Sequence, residues 1–208
     1  TLKQIRSNER KADKKRELLP FYLPWVAGVL ANGKGAQDDI VMTVMLWRLD
    51  ADDIAGALEI ARYAMTYGLT MPTGRRPTPY LLAEEVALSA QRLLAAKQPV
   101  ELANLLDTIA LTERADMPDI VRAKLHKITG YVLRDANQLP EALTHLQRAI
   151  QLERTIGVKK DIEQLERQLR PKPEPAPKAT TTKPRTRKPA AKPAARRGRP
   201  PKTAKAAG

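Results

Sequence analysis

Arg197-Gly198-Arg199-Pro200, inside the run Ala195-Arg196-Arg197-Gly198-Arg199-Pro200-Pro201-Lys202, has the order of an AT-hook core. The chemistry is binding to A·T-rich duplex DNA, whose minor groove is narrow and strongly negative and draws arginine side chains to its floor. Gly198 has no Cβ, so the backbone can sit deep in the groove. Pro200 fixes φ and keeps the segment extended. The competing reading is a chance match in a Lys/Arg/Pro/Ala tail that binds phosphate generically. On either reading Arg196, Arg197, Gly198, Arg199, Pro200 and Lys202 are candidate DNA-binding residues.

Other residues invite catalytic readings and fail them. A metal-dependent nuclease needs several carboxylates converging on one or two cations. The acidic pairs Asp38-Asp39, Asp52-Asp53 and Glu84-Glu85 instead have the placement of helix-start residues, where capping and the helix dipole favour acids. His126 and His145 have no acid or Cys at ligand spacing, so no metal or other cofactor is expected. Gly33-Lys34-Gly35 lacks the spacing of a phosphate loop and reads as a turn between helices. No Ser-His-Asp or Cys-His arrangement can be assembled.

Charge says where the binding groups lie. The chain carries a formal +14. Residues 171–208 hold 12 Lys+Arg against the single Glu174, and residues 1–16 hold 7 against Glu9 and Asp13, whereas residues 17–170 sum to −2. Two cationic arms therefore flank a nearly neutral body. Such arms neutralise phosphates and release counterions. Lys11, Lys14, Lys15 and Arg16 in the first arm join the candidate DNA contacts.

The elements that must position these groups are helices. Ala and Leu are abundant and aromatics scarce, a balance that favours helices and disfavours sheets. Residues 1–19 read as a basic helix or arm. Pro20 and Pro24 bracket Phe21-Tyr22-Leu23, predicting a kinked apolar plug docked on the body, followed by a short stripe of Trp25, Val26, Val29 and Leu30. Helical periods then recur from Asp38, from Asp52 or Asp53 to a stop at Gly68, through Val86–Leu94, Leu102–Ile109, Val121–Val132 starting at Pro118, Leu139–Ile150 closed by Gly157, and Val158–Leu169. Met71 to Pro79, with Gly74-Arg75-Arg76, reads as a loop. Gly130, Leu133, Ala142, Leu146 and Ala149, with an echo in Ala57, Ala61 and Ala64, have spacings like those of a tetratricopeptide helical pair. The expectation is an all-α fold of helical hairpins in one domain over residues 20–170, tetratricopeptide-like in part. Residues 171–208, with nine of the 17 prolines and no Leu, Ile, Val or aromatic residue, are expected to be disordered. There is no Cys, and Phe21 to Leu30 is too short an apolar stretch to span a bilayer. A soluble intracellular protein with no membrane partner is expected. Thr1 in place of Met predicts a missing N-terminal piece.

Several runs carry a family resemblance: Lys14-Lys15-Arg16-Glu17-Leu18-Leu19-Pro20-Phe21, Leu23-Pro24-Trp25-Val26, Gly33-Lys34-Gly35-Ala36-Gln37-Asp38-Asp39-Ile40 on to Trp47-Arg48-Leu49-Asp50, and Asp53-Ile54-Ala55-Gly56-Ala57-Leu58. Gly68-Leu69-Thr70-Met71-Pro72, Ala115-Asp116-Met117-Pro118, Arg122-Ala123-Lys124-Leu125-His126-Lys127-Ile128-Thr129-Gly130 and Gly157-Val158-Lys159-Lys160 add to it. The chain resembles the small terminase subunit of enteric temperate myophages, over nearly its whole length. The resemblance implies a DNA-recognition subunit that binds concatemeric viral double-stranded DNA at the cohesive-end site and recruits the large ATPase subunit for cleavage and packaging into procapsids. It also implies a homo-oligomer, such as a ring, and the host bacterial cytoplasm. The family carries an endonuclease label, whereas no nuclease motif is evident in the residues. A metal-dependent nuclease in its own right and a nonviral DNA-binding scaffold are the alternatives.

Overall fold

The computed structural model describes residues 2–72, 74 and 76–170. Among them are eight α-helices, a short 3-10 turn at Leu2–Gln4, and no strand. The helices are α1 Asn8–Asn32, α2 Asp39–Asp50, α3 Ile54–Tyr67, α4 Thr78–Ala95, α5 Leu102–Thr112, α6 Asp119–Asp135, α7 Leu139–Leu152 and α8 Lys159–Leu169.

Three hairpins form the body: α2/α3, α4/α5 and α6/α7. Each turns through a non-glycine residue in the left-handed region, at Asp52 (φ 65°), Lys97 (φ 56°) and Asn137 (φ 60°). The next amide then reaches back to the preceding helix: Asp53 N–H to the Arg48 carbonyl at 2.8 Å, Gln98 to Leu93 at 2.8 Å and Gln138 to Leu133 at 2.9 Å. These bonds satisfy carbonyls that a helix end leaves without partners. Adjacent hairpins stack through α2 on α4, α3 on α5 and α4 on α6. α1 packs on α2 and α3 at one end of the stack, and α8 on α7 at the other.

Two buried clusters meet at α6. Val121, Leu125, Ile128 and Val132 face the larger one, built with α1 to α5, whereas Ala123 and Leu133 face the smaller one with Leu146, Ala149 and Leu165. Gly130 makes the closest α6–α7 approach possible: a Cβ there would lie 2.7 Å from a Leu146 methyl and 3.2 Å from the Ala142 carbonyl. The small residues picked out by sequence, Gly130, Ala142 and Ala149 in this pair and Ala57, Ala61 and Ala64 in α3, are all buried at helix crossings.

Asp38 and Asp53 are N-caps. Asp38 Oδ1 accepts from the Ile40 and Val41 amides, both at 2.9 Å, and Asp53 Oδ1 from Gly56 at 2.9 Å. Gly68, at φ 70°, ends α3. Gly33-Lys34-Gly35 is the turn from α1 to α2; Gly35, at φ 81°, lies against the Tyr67 ring, and its amide donates to the Tyr63 hydroxyl at 2.9 Å. α7 stops at Leu152 rather than at Gly157, which lies in the turn to α8 with φ 79°.

The region around Pro20 differs from the expectation. Instead of a basic helix or arm separated by a kinked plug from a short stripe, there is one continuous helix from Asn8 to Asn32 with Pro20 and Pro24 inside it. A proline in a helix removes one N–H and leaves the carbonyl four residues earlier without its partner. Both prolines are exposed, so the orphaned carbonyls of Arg16 and Pro20 can be solvated. The inner face holds the helix in place: Val26 is buried, Tyr22 packs edge-on against Trp47 with centroids 5.7 Å apart, and Trp25 Nε1 donates to Asp38 Oδ2 at 3.0 Å. Phe21 is no plug. It is 79% exposed, and Trp25 is 53% exposed.

Candidate nucleic-acid interface

The first half of α1 separates the arm's cations into two kinds. Lys15 turns inward, and Arg16, though exposed, reaches across to the turn between α2 and α3. Lys15 Nζ is ion-paired with Asp50 at the end of α2, with its side chain only 14% exposed. Arg16 pairs with Asp13 at 2.8 Å, approaches Asp52 at 3.6 Å and donates to the Ala51 carbonyl at 3.3 Å. Asp52 in turn accepts from Ser89 Oγ at 2.9 Å and from Arg92 at 2.8 and 3.0 Å. One aspartate in a left-handed turn thus ties α1, the α2/α3 hairpin and α4 together. Glu85 borders this clasp, and burial, followed by the Asp50 and Glu84 charges, raises its pKa above the usual carboxylate value.

Lys14 pairs with Glu17 at 2.5 Å, with both side chains well exposed. An exposed pair of this kind contributes about 0–1 kcal/mol and is easily exchanged for another anion. Lys3, Arg6, Arg10 and Lys11 form no ion pair among the described residues. Ser7 starts the helix between them, its hydroxyl accepting from the Arg10 amide at 3.3 Å. One helical turn later Lys14 continues the same cationic run. Of the four arm residues singled out by sequence, Lys11 and Lys14 are therefore available to phosphate, and Lys15 and Arg16 are engaged in holding α1. Lys3, Arg6 and Arg10 are the residues sequence reasoning left unnamed; the charge count included them, but only the pairing geometry separates them from their neighbours. Arg196, Arg197, Gly198, Arg199, Pro200 and Lys202 lie outside the described residues, as does Arg75.

Five of the six carboxylates of the acidic pairs are engaged in the fold. Asp38 and Asp53 cap helices, Asp39 accepts from Gln37 at 3.0 Å, Asp52 forms the clasp, and Glu84 is ion-paired with Arg76. Among the described residues no three His, Asp or Glu side chains are grouped so as to hold a metal ion. One contact has no signal in the sequence: His126 on α6 and His145 on α7 bring their Nδ1 atoms to 3.0 Å. Burial, then His145 and the nearby Arg148 and Arg122, pull the His126 pKa down to about 4, and burial lowers that of His145. The two ring nitrogens are within hydrogen-bond distance across the helix pair. On the far side of α6, Tyr131 donates to Asp161 at 3.1 Å under the Arg134 guanidinium, tying α8 to α6, and its pKa is pushed up to about 12, chiefly by burial. No helix among the described residues is long and apolar enough to cross a membrane.

The family described as the phage small terminase subunit matches residues 1–120, and the chain belongs to that family. It is 64% identical over 205 residues to the "Terminase, endonuclease subunit" of Escherichia phage P2, covering 98% of this chain and 82% of that one. It is also 29% identical over 170 residues to the "Probable terminase, endonuclease subunit" of Haemophilus phage HP1, covering 74% of this chain and 60% of the relative. No solved structure shows significant similarity.

Proposed function

We propose that this phage small terminase subunit is the DNA-recognition component of a genome-packaging machine. It binds concatemeric viral double-stranded DNA at the cohesive-end site, self-associates, and recruits the large ATPase subunit that packages the genome into procapsids in the host bacterial cytoplasm. The observation that carries the reading is the run Lys3, Arg6, Arg10, Lys11, free of ion-pair partners just before and on the first turn of α1, whose later cations Lys15 and Arg16 pair with Asp50 and Asp52 of the body. A helix presenting uncompensated cations can lie along a phosphate backbone, and the Arg197-Gly198-Arg199-Pro200 segment adds a contact suited to an A·T minor groove. The two arms would position the body, in which at least one member of each of the three acidic pairs is committed to a helix cap or an ion pair, for another subunit to act. Cleavage, on this reading, belongs to the complex with the large subunit, although both relatives are named endonuclease subunits.

The test combines binding and cutting. With full-length protein, Arg197→Ala together with Arg199→Ala should weaken binding to A·T-rich duplex more than to G·C-rich duplex; equal losses would reduce the tail to a nonspecific anchor. Cohesive-end DNA in Mg²⁺ should be cut only when the large subunit is present. Cutting by this chain alone would overturn the assignment of cleavage to the complex.

A further inference from the structure

α1 has a second half unlike its first. Leu18 to Gly33 contains no charged residue, and the side of the helix turned away from the body carries Pro20, Phe21, Pro24, Ala27 and Gly28, all exposed, with Trp25 and Leu23 at its edges. A helix apolar on all sides is normally buried on all sides. Phe21 and Trp25 alone leave roughly 250 Å² of ring surface bare, taking an aromatic side chain as about 150–250 Å². With the neighbouring prolines, Leu23 and Ala27 the bare apolar area is about 500 Å² per chain, so two such faces meeting would remove about 1,000 Å², where specific interfaces begin.

The stripe is also shaped to fit itself. Phe21 is its one large knob. Seven residues later on the same side, Gly28 carries no side chain and faces open space, a built Cβ meeting no atom within 4 Å, so a ring from outside can lie against the helix there. Two turns of helix separate them, about 10 Å along the axis. Laid antiparallel about a two-fold axis between Pro24 and Trp25, two copies place each Phe21 over the other's Gly28, and each Glu17 beside the other's Asn32. The same arrangement sends the two cationic N-terminal halves to opposite ends, where their like charges stay apart. A parallel pairing would bring them together.

We infer that the outer face of α1, from Pro20 to Gly28, is a two-fold interface with a second copy of this chain, closed by Phe21 of each copy seating over Gly28 of the other. This rests on and deepens the self-association in the reading above, by naming the surface that forms it. Isologous contact of this kind uses the same patch on both subunits, so a self-complementary face suffices. A dimer so formed carries two separated cationic arms and two tails.

The full-length chain is measured without DNA, so that a failure to bind DNA leaves the result unaffected. Wild-type protein should have the mass of a dimer or an even multiple of it by light scattering at micromolar concentration, and Phe21→Glu should at least halve that mass with an unchanged helical circular dichroism spectrum. Because the chain has no Cys, a single introduced thiol reports the geometry. Pro24→Cys, beside the axis, should cross-link to a dimer under mild oxidation, and Gln164→Cys on α8 should not. A monomeric wild type, which would leave the face for a different protein, overturns the inference. So does an unchanged mass in Phe21→Glu, or equal cross-linking of the two cysteine variants.

Discussion

The two ends of the helical stack are finished in opposite ways. α8 buries Leu165 to 1% exposure, packs Ile162 beside it, and turns Lys160, Glu163, Gln164 and Arg167 to solvent. That is how a terminal helix closes a stack of helical units: an apolar inner face and a polar outer one. α1 closes the other end with Val26 and Tyr22 inside, but it leaves Phe21, Leu23 and Trp25 outside, and the cations that it does not commit to Asp50 and Asp52 lie in its first turns. One end is a surface finished for water. The other has two unfinished surfaces in series, one cationic and one apolar, and unfinished surface is where binding is to be sought.

The largest expected contrast is in stability. Leu165→Ala should cost about 2–5 kcal/mol, the range for truncating a fully buried leucine. Phe21→Ser, at the other end, should change the intrinsic stability of the fold by no more than about 0.5 kcal/mol, as for a solvent-facing residue. Chemical denaturation at low protein concentration, where self-association is weakest, reads both. A large loss for Phe21→Ser under those conditions would mean that its ring packs on the body after all.

A smaller effect, read by pH, separates the α6/α7 hairpin from the α1 end. His126 and His145 titrate near the usual histidine value of 6.5 when unfolded, but His126 does so near 4 when folded. The unfolded chain therefore binds protons more readily, so the stability they contribute is present above pH 6.5 and lost as pH falls towards 4. The loss should be about 1–2 kcal/mol after allowance for solvent screening of part-buried rings. His126→Gln should flatten that part of the stability profile, while Phe21→Ser leaves it intact. Thermal midpoints at a series of pH values check both.

The smallest effect concerns the turns. Lys97 and Asp52 share a left-handed backbone, but only Asp52 is bonded to neighbouring helices. Lys97→Gly should therefore stabilise by up to about 1 kcal/mol through relief of left-handed strain. Asp52→Gly should destabilise, because the clasp disappears along with the strain. The same sign for both would mean that the clasp contributes nothing.

Local chemistry explains which parts of this were legible in the sequence. Asp38, Asp53 and Gly68 advertise helix ends through side-chain chemistry within a few residues, and the recurrence of apolar positions marks the body helices. The three left-handed hairpin turns are formed by Asp52, Lys97 and Asn137, none of them glycine, so the usual marker is missing. α1 departs from its sequence reading because proline is a strong local breaker, while the contacts that override it, Tyr22 on Trp47 and Trp25 to Asp38, come from another helix. The separation of Lys15 and Arg16 from Lys3, Arg6, Arg10 and Lys11 likewise depends on Asp50 and Asp52, some 35 residues along the chain. Charge counting finds the arm but not its free members.

The central claim is that the unpaired cations before and at the start of α1 contact DNA, and that the cations of α8, interleaved with Asp161, Glu163 and Glu166, do not. Equilibrium binding of the full-length chain to duplex DNA, followed against salt concentration, tests it directly. Replacing Lys3, Arg6, Arg10 and Lys11 with Ala should make log K against log salt shallower by about 0.9 for each phosphate no longer neutralised, and weaken binding at least tenfold in low salt. Replacing Lys159, Lys160, Arg167 and Arg170 should leave slope and affinity nearly unchanged. Equal weakening by the two variants would contradict the account.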